Sequence, residues 1–119
     1  MQVTLYGIPN CNTVKKARDW LQQKGIDYVF HDFRKQGINK TLVQGWSSKV
    51  DWQTLLNRRG TTWRKLAIKN ADKLGKADAI KIMCQHSSVV KRPVLVKGSR
   101  VWVGFDADIY NTIFATVKK

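Results

Sequence analysis

The stretch Tyr6-Gly7-Ile8-Pro9-Asn10-Cys11-Asn12-Thr13 decides how the rest of the chain is interpreted. The residues just before it alternate polar and apolar side chains, which is typical of a half-buried strand. Its glycine and proline predict a turn, and apolar residues at helical spacing follow as far as Gly25. The pattern therefore predicts a strand over 2–6, a turn over 7–11 and a helix over 12–24.

This arrangement places the Cys11 thiol at the start of a helix. Free backbone N–H groups and the positive end of the helix stabilise an anion there. Lys15 and Lys16 add positive charge nearby. Such surroundings lower the pKa of a cysteine and increase its thiolate fraction at neutral pH. The alternative is a buried Cys11 that packs as a small apolar side chain.

The composition predicts one folded domain. A chain of 119 residues with 43% hydrophobic residues and five tryptophans is typical of a globular protein with a core. No apolar run is long enough for a membrane helix, and the first residues do not resemble a signal peptide. Two cysteines do not predict the disulfide framework of a secreted protein. We therefore expect a cytoplasmic location and no membrane partner.

The charge balance is strongly basic. Twenty-two Lys and Arg residues face eight acidic residues, all of them aspartate, and the formal net charge is +14. Such an excess attracts nucleic acids, acidic proteins, phosphates and glutathione. The basic residues form no dense block, so a solvated basic surface is an equally good interpretation. The chain has no recognisable nucleic-acid motif, and nucleic acid is not expected as a partner.

The middle of the chain changes from strand to helix. Residues 27–33 are rich in aromatic and β-branched residues and predict a central parallel strand covered on both faces. Residues 38–88 are predicted to be helical and strand-free, an insertion between the two halves of a sheet. Asn39 and Asp51 are predicted to cap the first two helices of this insertion. Helical spacing resumes around Trp63, Leu66, Ala67 and Asn70, and the last helix is predicted over 76–86.

The end of the chain returns to strands. Residues 94–96 and 100–103 predict a hairpin around Gly98, and Asp106 caps a closing helix that extends to Val117. The order is βαβ, helical insertion, ββα. It predicts an α/β protein with a thioredoxin-like fold and a mixed sheet.

The whole chain, 1–119, resembles a single domain of the arsenate reductase-like (ArsC/Spx/YffB) family, and it is most similar to the short YffB-type members. The blocks that carry the resemblance follow the family's order, namely residues 6–13, Lys65-Leu66, residues 91–96 and Val103-Gly104-Phe105. The resemblance implies the same thioredoxin-like fold and a catalytic cysteine at Cys11.

The resemblance also implies partners for Cys11. A cis Pro93 would pack close to the thiol, and Arg92 would reach the anion site. Arg59 matches an arginine with which the helical insertion faces the active cysteine. Taken alone, Arg92 is more naturally a surface arginine, and Arg59, next to Arg58 in a loop, is as readily solvated.

Two departures from the family pattern bear on the chemistry. Gly104-Phe105-Asp106 occupies the stretch where arsenate reductases of this type place a third arginine, which puts arsenate reduction in doubt. Val14 stands three residues after Cys11, so the Cys-x-x-Cys switch of the Spx regulators is absent. An enzyme built on Cys11 needs an external resolving thiol, for which glutathione is the obvious candidate. Cys84 lies on an apolar helical stripe, which favours core packing over that role.

We therefore expect a glutathione-dependent thiol reductase that acts on a small anionic or disulfide substrate through a mixed disulfide at Cys11. Arg92 and Arg59 would bind an anionic group of the substrate or of glutathione. The site would be completed by the backbone of Asn12, Thr13 and Val14, and by Pro93. No metal is expected, since His31 and His86 lack ligand spacing. The alternative is an Spx-like regulator that binds RNA polymerase or another acidic protein without catalysis.

Overall fold

The computed structural model describes residues 2–68 and 73–115, so the predicted helical positions Asn70 and Val117 lie outside the described residues. The elements in chain order are β1 (Val3–Gly7), α1 (Asn12–Gln23), β2 (Val29–Asp32), α2 (Phe33–Gln36), α3 (Lys40–Ser47), α4 (Trp52–Leu55), α5 (Thr61–Leu66), α6 (Lys76–Gln85), a 3₁₀ turn (Ser87–Val89), β3 (Val94–Lys97), β4 (Arg100–Val103) and α7 (Ala107–Ile113). None of the described helices has the length and apolar character needed to cross a membrane.

The four strands form one mixed sheet in the order β2-β1-β3-β4. β1 is parallel to β2 and antiparallel to β3, and β4 continues the sheet in antiparallel orientation. The register aligns one row across all four strands, through Phe30, Leu5, Leu95 and Trp102. The predicted α/β architecture of a thioredoxin-like fold is confirmed.

Helices cover both faces of the sheet. Successive residues of a strand point to opposite sides, so the strands place apolar side chains on both faces and each face needs a covering layer. Leu5 and Leu95 face α1 and α7, whereas Val94 faces the helices between β2 and β3. Each face has its own core cluster. The buried residues of the first cluster, on the side of α1 and α7, are Val3, Leu5, Val14, Ala17, Leu21, Leu95 and Tyr110. Those of the second are Phe33, Val43, Trp46, Leu55, Leu56, Ala79, Ile80, Met83, Val89, Val90 and Val94.

Three helices begin at the side-chain caps that the sequence predicted. Asn39 accepts a hydrogen bond from the backbone N–H of Leu42 at 2.9 Å, and Asp51 accepts one from Gln53 at 2.9 Å. Asp106 accepts two backbone N–H bonds at the start of α7. A cap of this kind contributes about 1 kcal/mol to helix stability, so these polar residues define where each helix starts.

The strand predicted over 27–33 is shorter and lies elsewhere in the sheet than expected. β2 has four residues and forms an edge, and Val29 is 48% exposed. β1 and β3 occupy the interior positions instead, because β3 pairs with the edge of β1 that β2 leaves open. Asp32 accepts a hydrogen bond in the first turn of α2, so Phe33 belongs to a helix that the sequence did not predict.

The end of β1 meets the first turn of α1 with no room for a side chain. A Cβ atom built on Gly7 would lie 2.8 Å from Cγ2 of Val14, which is closer than such carbons approach in proteins. Val14 is fully buried in the core, so it has little freedom to move away. Glycine at position 7 therefore lets the strand and the helix pack directly against each other.

Replacing Gly7 with alanine tests this contact. We expect Gly7→Ala to lower the free energy of unfolding by about 1–3 kcal/mol, as overpacking of a core does. Gly45→Ala is the matched control, because Gly45 lies in α3 with nothing within 4 Å of its added Cβ. That change should raise stability by up to about 1 kcal/mol, since alanine is the better helix former. Urea denaturation measures both, and equal effects of the two changes would contradict the argument.

Candidate active site around Cys11

Cys11 is the residue that precedes α1, as the sequence predicted. Its backbone is extended, with φ −99° and ψ 126°, and its carbonyl accepts the N–H of Lys15 at 2.9 Å. Its own N–H donates to the carbonyl of Ile8 at 3.4 Å, which closes the turn after β1. The thiol is free and partly exposed, so a substrate can reach it.

The surroundings of the sulfur favour the thiolate. Burial alone would raise the pKa of Cys11. Attraction of the sulfur to the backbone N–H of Val14, to the Arg92 side chain and its charge, and to the backbone N–H of Thr13 outweighs burial and lowers the pKa. The first N–H groups of a helix have no partner within the helix, so Thr13 and Val14 can donate to the sulfur without breaking a helical bond.

The cation that acts on the sulfur is not the one that the local sequence indicated. Lys15 and Lys16 are exposed, and neither is among the described groups that lower the pKa of Cys11. Charges on exposed, flexible side chains are screened by water and salt. Arg92, which is distant in sequence, supplies the positive charge instead.

Arg92 is held beside Cys11 by the elements on either side of it. Two backbone hydrogen bonds and an isolated β-bridge tie residues 89–91 to residues 55–57, at the end of α4. The Arg92–Pro93 peptide bond is cis, as the resemblance implied, and Pro93 is fully buried at the start of β3. The backbone on both sides of the arginine is therefore anchored.

One hydrogen-bond donor of the Arg92 guanidinium has no partner among the described residues. Its Nη1 donates to the carbonyl of Ser88 at 3.4 Å. Its Nε is buried and has no hydrogen-bond partner in the described part of the chain. Nothing in the sequence points to the Ser88 contact, because the acceptor is a backbone carbonyl. Arg92 as a whole is only partly buried, so its guanidinium is suited to bind an anionic group of a substrate beside the thiolate.

The other predicted site residues occupy different surroundings. Asn12 is exposed at the first position of α1, and its backbone is not among the described groups that bond the sulfur. Arg59 is exposed in the loop between α4 and α5 and is likewise absent from those groups. The neighbouring Arg58 lies over the ring of Trp63, 5.8 Å from its centroid. The binding roles of Asn12 and Arg59 stay predictions.

Cys84 has the opposite environment. Its side chain packs against the second core cluster, whereas Cys11 packs against the first. Burial raises the pKa of Cys84, and the charge of Lys40 offsets only part of this effect. The two thiols of the protein are therefore shifted in opposite directions, and Cys11 is the one prepared to ionise.

His31 takes part in ordinary packing contacts. His31 Nε2 lies 2.8 Å from the carbonyl oxygen of Gly37, and its ring centroid is 4.8 Å from that of Tyr6. Within residues 2–68 and 73–115, no group of three His, Cys or Asp side chains is placed to hold a metal ion.

Comparison with known proteins finds relatives that cover most of this chain. The model of the ArsC family matches residues 6–113. An uncharacterized protein of Haemophilus influenzae is 34% identical over 113 residues, which are 95% of this chain and 99% of that protein. The global transcriptional regulator Spx of Streptococcus agalactiae is 27% identical over 108 residues, or 89% of this chain and 78% of the regulator.

A solved structure supports the same relationship. The protein named YFFB is 44% identical and superimposes with a TM-score of 0.86, over 93% of this chain and 97% of that one. The family match includes both Cys11 and the Arg92–Pro93 segment. The chain therefore belongs to the ArsC family.

Proposed function

We propose that this protein is a glutathione-dependent thiol reductase in which the Cys11 thiolate is the nucleophile. The observation that carries the proposal is the place of the Cys11 thiol, at the start of α1 and beside Arg92, where its pKa is lowered in spite of partial burial. Thiol–disulfide exchange proceeds through the thiolate, so a lowered pKa increases the reactive fraction at neutral pH. The proposal includes a cytoplasmic setting, where thiols are kept reduced.

In the first proposed step, the Cys11 thiolate attacks the glutathione sulfur of a disulfide between glutathione and a substrate. A Cys11–glutathione disulfide forms, and the substrate sulfur leaves with the electron pair of the broken bond and takes up a proton from water. A second glutathione, as its thiolate, then attacks the glutathione sulfur of this adduct. Cys11 leaves as a thiolate and oxidised glutathione is released, so free glutathione supplies the electrons that reduce the substrate.

This sequence of steps needs only one cysteine on the protein, which fits a chain with Val14 at the position of a second one. Arg92, which is only partly buried, is proposed to bind a carboxylate of glutathione through its guanidinium. The backbone N–H groups of Thr13 and Val14 would stabilise Cys11 when it leaves as a thiolate. Arg59 is proposed to add a second contact to an anionic group of glutathione or of the disulfide substrate.

A regulatory function is the second candidate, because a relative that covers most of the chain is named as a transcriptional regulator. In that case the protein would bind RNA polymerase or another acidic protein through its basic surface. Size-exclusion chromatography with purified RNA polymerase at physiological salt tests this candidate. A stable complex that forms equally well with Cys11→Ser would favour regulation over catalysis.

The nucleophile is tested by removing each thiol. We expect Cys11→Ser to abolish thiol reductase activity and the adduct with glutathione, whereas Cys84→Ser keeps both, because only Cys11 has donors that stabilise a thiolate. Mass spectrometry after incubation with oxidised glutathione identifies the modified residue. An adduct preferentially on Cys84, or a Cys11–Cys84 disulfide in turnover, would contradict the assignment. Thermal melting confirms that each variant is folded.

The pH dependence of alkylation tests the role of Arg92. The pKa of Cys11 is lowered and that of Cys84 is raised, so the alkylation rate should rise at lower pH in Cys84→Ser than in Cys11→Ser. In Cys84→Ser, the further change Arg92→Ala should move the Cys11 midpoint to higher pH, since it removes a hydrogen bond and a positive charge. Glutathione binding should weaken roughly ten- to a hundredfold, the usual loss for a charge-assisted bond. An unchanged midpoint would exclude Arg92 from the site.

Arg59 and its neighbour form a matched pair. We expect Arg59→Ala to raise the KM for glutathione or the disulfide substrate with little change in kcat, because it removes binding and leaves the thiolate intact. Arg58→Ala is the control, since it removes the same charge from a side chain that lies over Trp63. Equal effects of the two changes on KM would indicate a general electrostatic attraction and no specific contact of Arg59.

A further inference from the structure

A second concave surface lies away from Cys11, between α3 and α6. This groove has a volume of about 750 Å³. Pockets that bind small molecules usually measure roughly 300–1,000 Å³. Both helices belong to the layer that covers the sheet face opposite α1. The groove is therefore large enough for a ligand and separate from the thiolate site.

The floor of the groove is apolar. Ala77, Ile80 and Cys84 line it from one face of α6, at the spacing that places helical residues above one another. Burial raises the pKa of Cys84, so its thiol stays neutral and adds to the apolar surface. Beneath the floor, Met83 and Val43 are completely buried, so the groove overlies a closed core.

The rim of the groove is cationic. Lys40, Lys76 and Lys81 line it, and the described lining residues include no carboxylate. None of these lysines forms an ion pair with another described residue. The charge of Lys40 acts on Cys84, near the end of α6, whereas Lys76 begins α6, about 12 Å away by the rise of a helix. Positive charge therefore flanks an apolar floor at both ends.

We propose that this groove binds a small amphipathic carboxylate. The apolar part of the ligand would lie on the floor, and its carboxylate would meet a lysine that forms no ion pair with a described residue. An apolar floor with a few charged groups at its edge is the usual composition of a small-molecule site. A protein partner fits less well, because it would need about 800 Å² on each side and α3 and α6 are only about 12–15 Å long. The site does not depend on the proposed reductase activity.

Nuclear magnetic resonance of the full ¹⁵N-labelled chain tests the proposal, with octanoate and octanol as probes. Octanoate should shift the backbone signals of Ile80 and Cys84 in a saturable titration and leave those of Thr13 and Val14 unchanged. Octanol shares the apolar chain but lacks the charge, so its binding should be at least tenfold weaker. Equal affinities for octanoate and octanol would show that the lysines do not act, and would overturn the proposal.

Variants separate the contributions of charge and shape. The double change Lys40→Gln with Lys81→Gln should weaken octanoate binding at least tenfold. Lys35→Gln, an exposed lysine of α2, is the charge control and should have no more than a twofold effect. Ala77→Trp should block the groove without removing a cation. Ala77 lines the groove and is exposed on α6, so a larger side chain there fills the groove and not the core. Melting temperatures close to that of the unaltered protein confirm folding.

Other outcomes would overturn the proposal. Octanoate shifts that centre on Thr13 and Val14 would assign the ligand to the thiolate site. An octanoate affinity that is unchanged in the Lys40 and Lys81 double variant would show that these lysines do not bind the carboxylate. A polyglutamate peptide that shifts the α3 and α6 signals, where octanoate has no effect, would replace the small molecule with an acidic protein segment.

Discussion

The direct contact between Gly7 and Val14 is the constraint on which the candidate site depends. A strand must end and a helix must begin within a few residues, and both must remain packed in the same core. The absence of a side chain on Gly7 lets the backbone of β1 reach Val14. This contact holds the first turn of α1 against the sheet, and the N–H groups of that turn are then directed at the Cys11 sulfur.

The two cysteines show how surroundings determine reactivity. Burial opposes ionisation of both thiols, because a charge loses the solvation that water provides. At Cys11, two backbone donors and an arginine outweigh this effect, whereas at Cys84 a single lysine does not. The same side chain is therefore prepared to act as a nucleophile in one place and to serve as apolar surface in the other.

The net charge of +14 is largely uncompensated within the fold. No ion pair joins two residues of the described ranges, and several cations lie over aromatic rings instead, such as Arg18 over Phe30 at 4.1 Å and Arg100 over Trp102 at 4.9 Å. Basic groups without acidic partners give the protein a positive potential, which increases the local concentration of anions. That potential would attract anionic ligands to both the thiolate site and the groove between α3 and α6.

The sequence by itself determined the order of the strands and main helices, the caps of three helices and the position of Cys11, because glycine, proline, capping residues and apolar spacing act over a few neighbouring residues. It did not determine which strand would be central, since β2 became an edge only when β3 paired with β1. It also could not identify the cation beside the sulfur from local charge. Arg92 lies beside Cys11 because a β-bridge between Leu56 and Val90 and two backbone hydrogen bonds hold the residues just before it. Contacts between backbones far apart in sequence leave no side-chain pattern, so only the tertiary structure decides them.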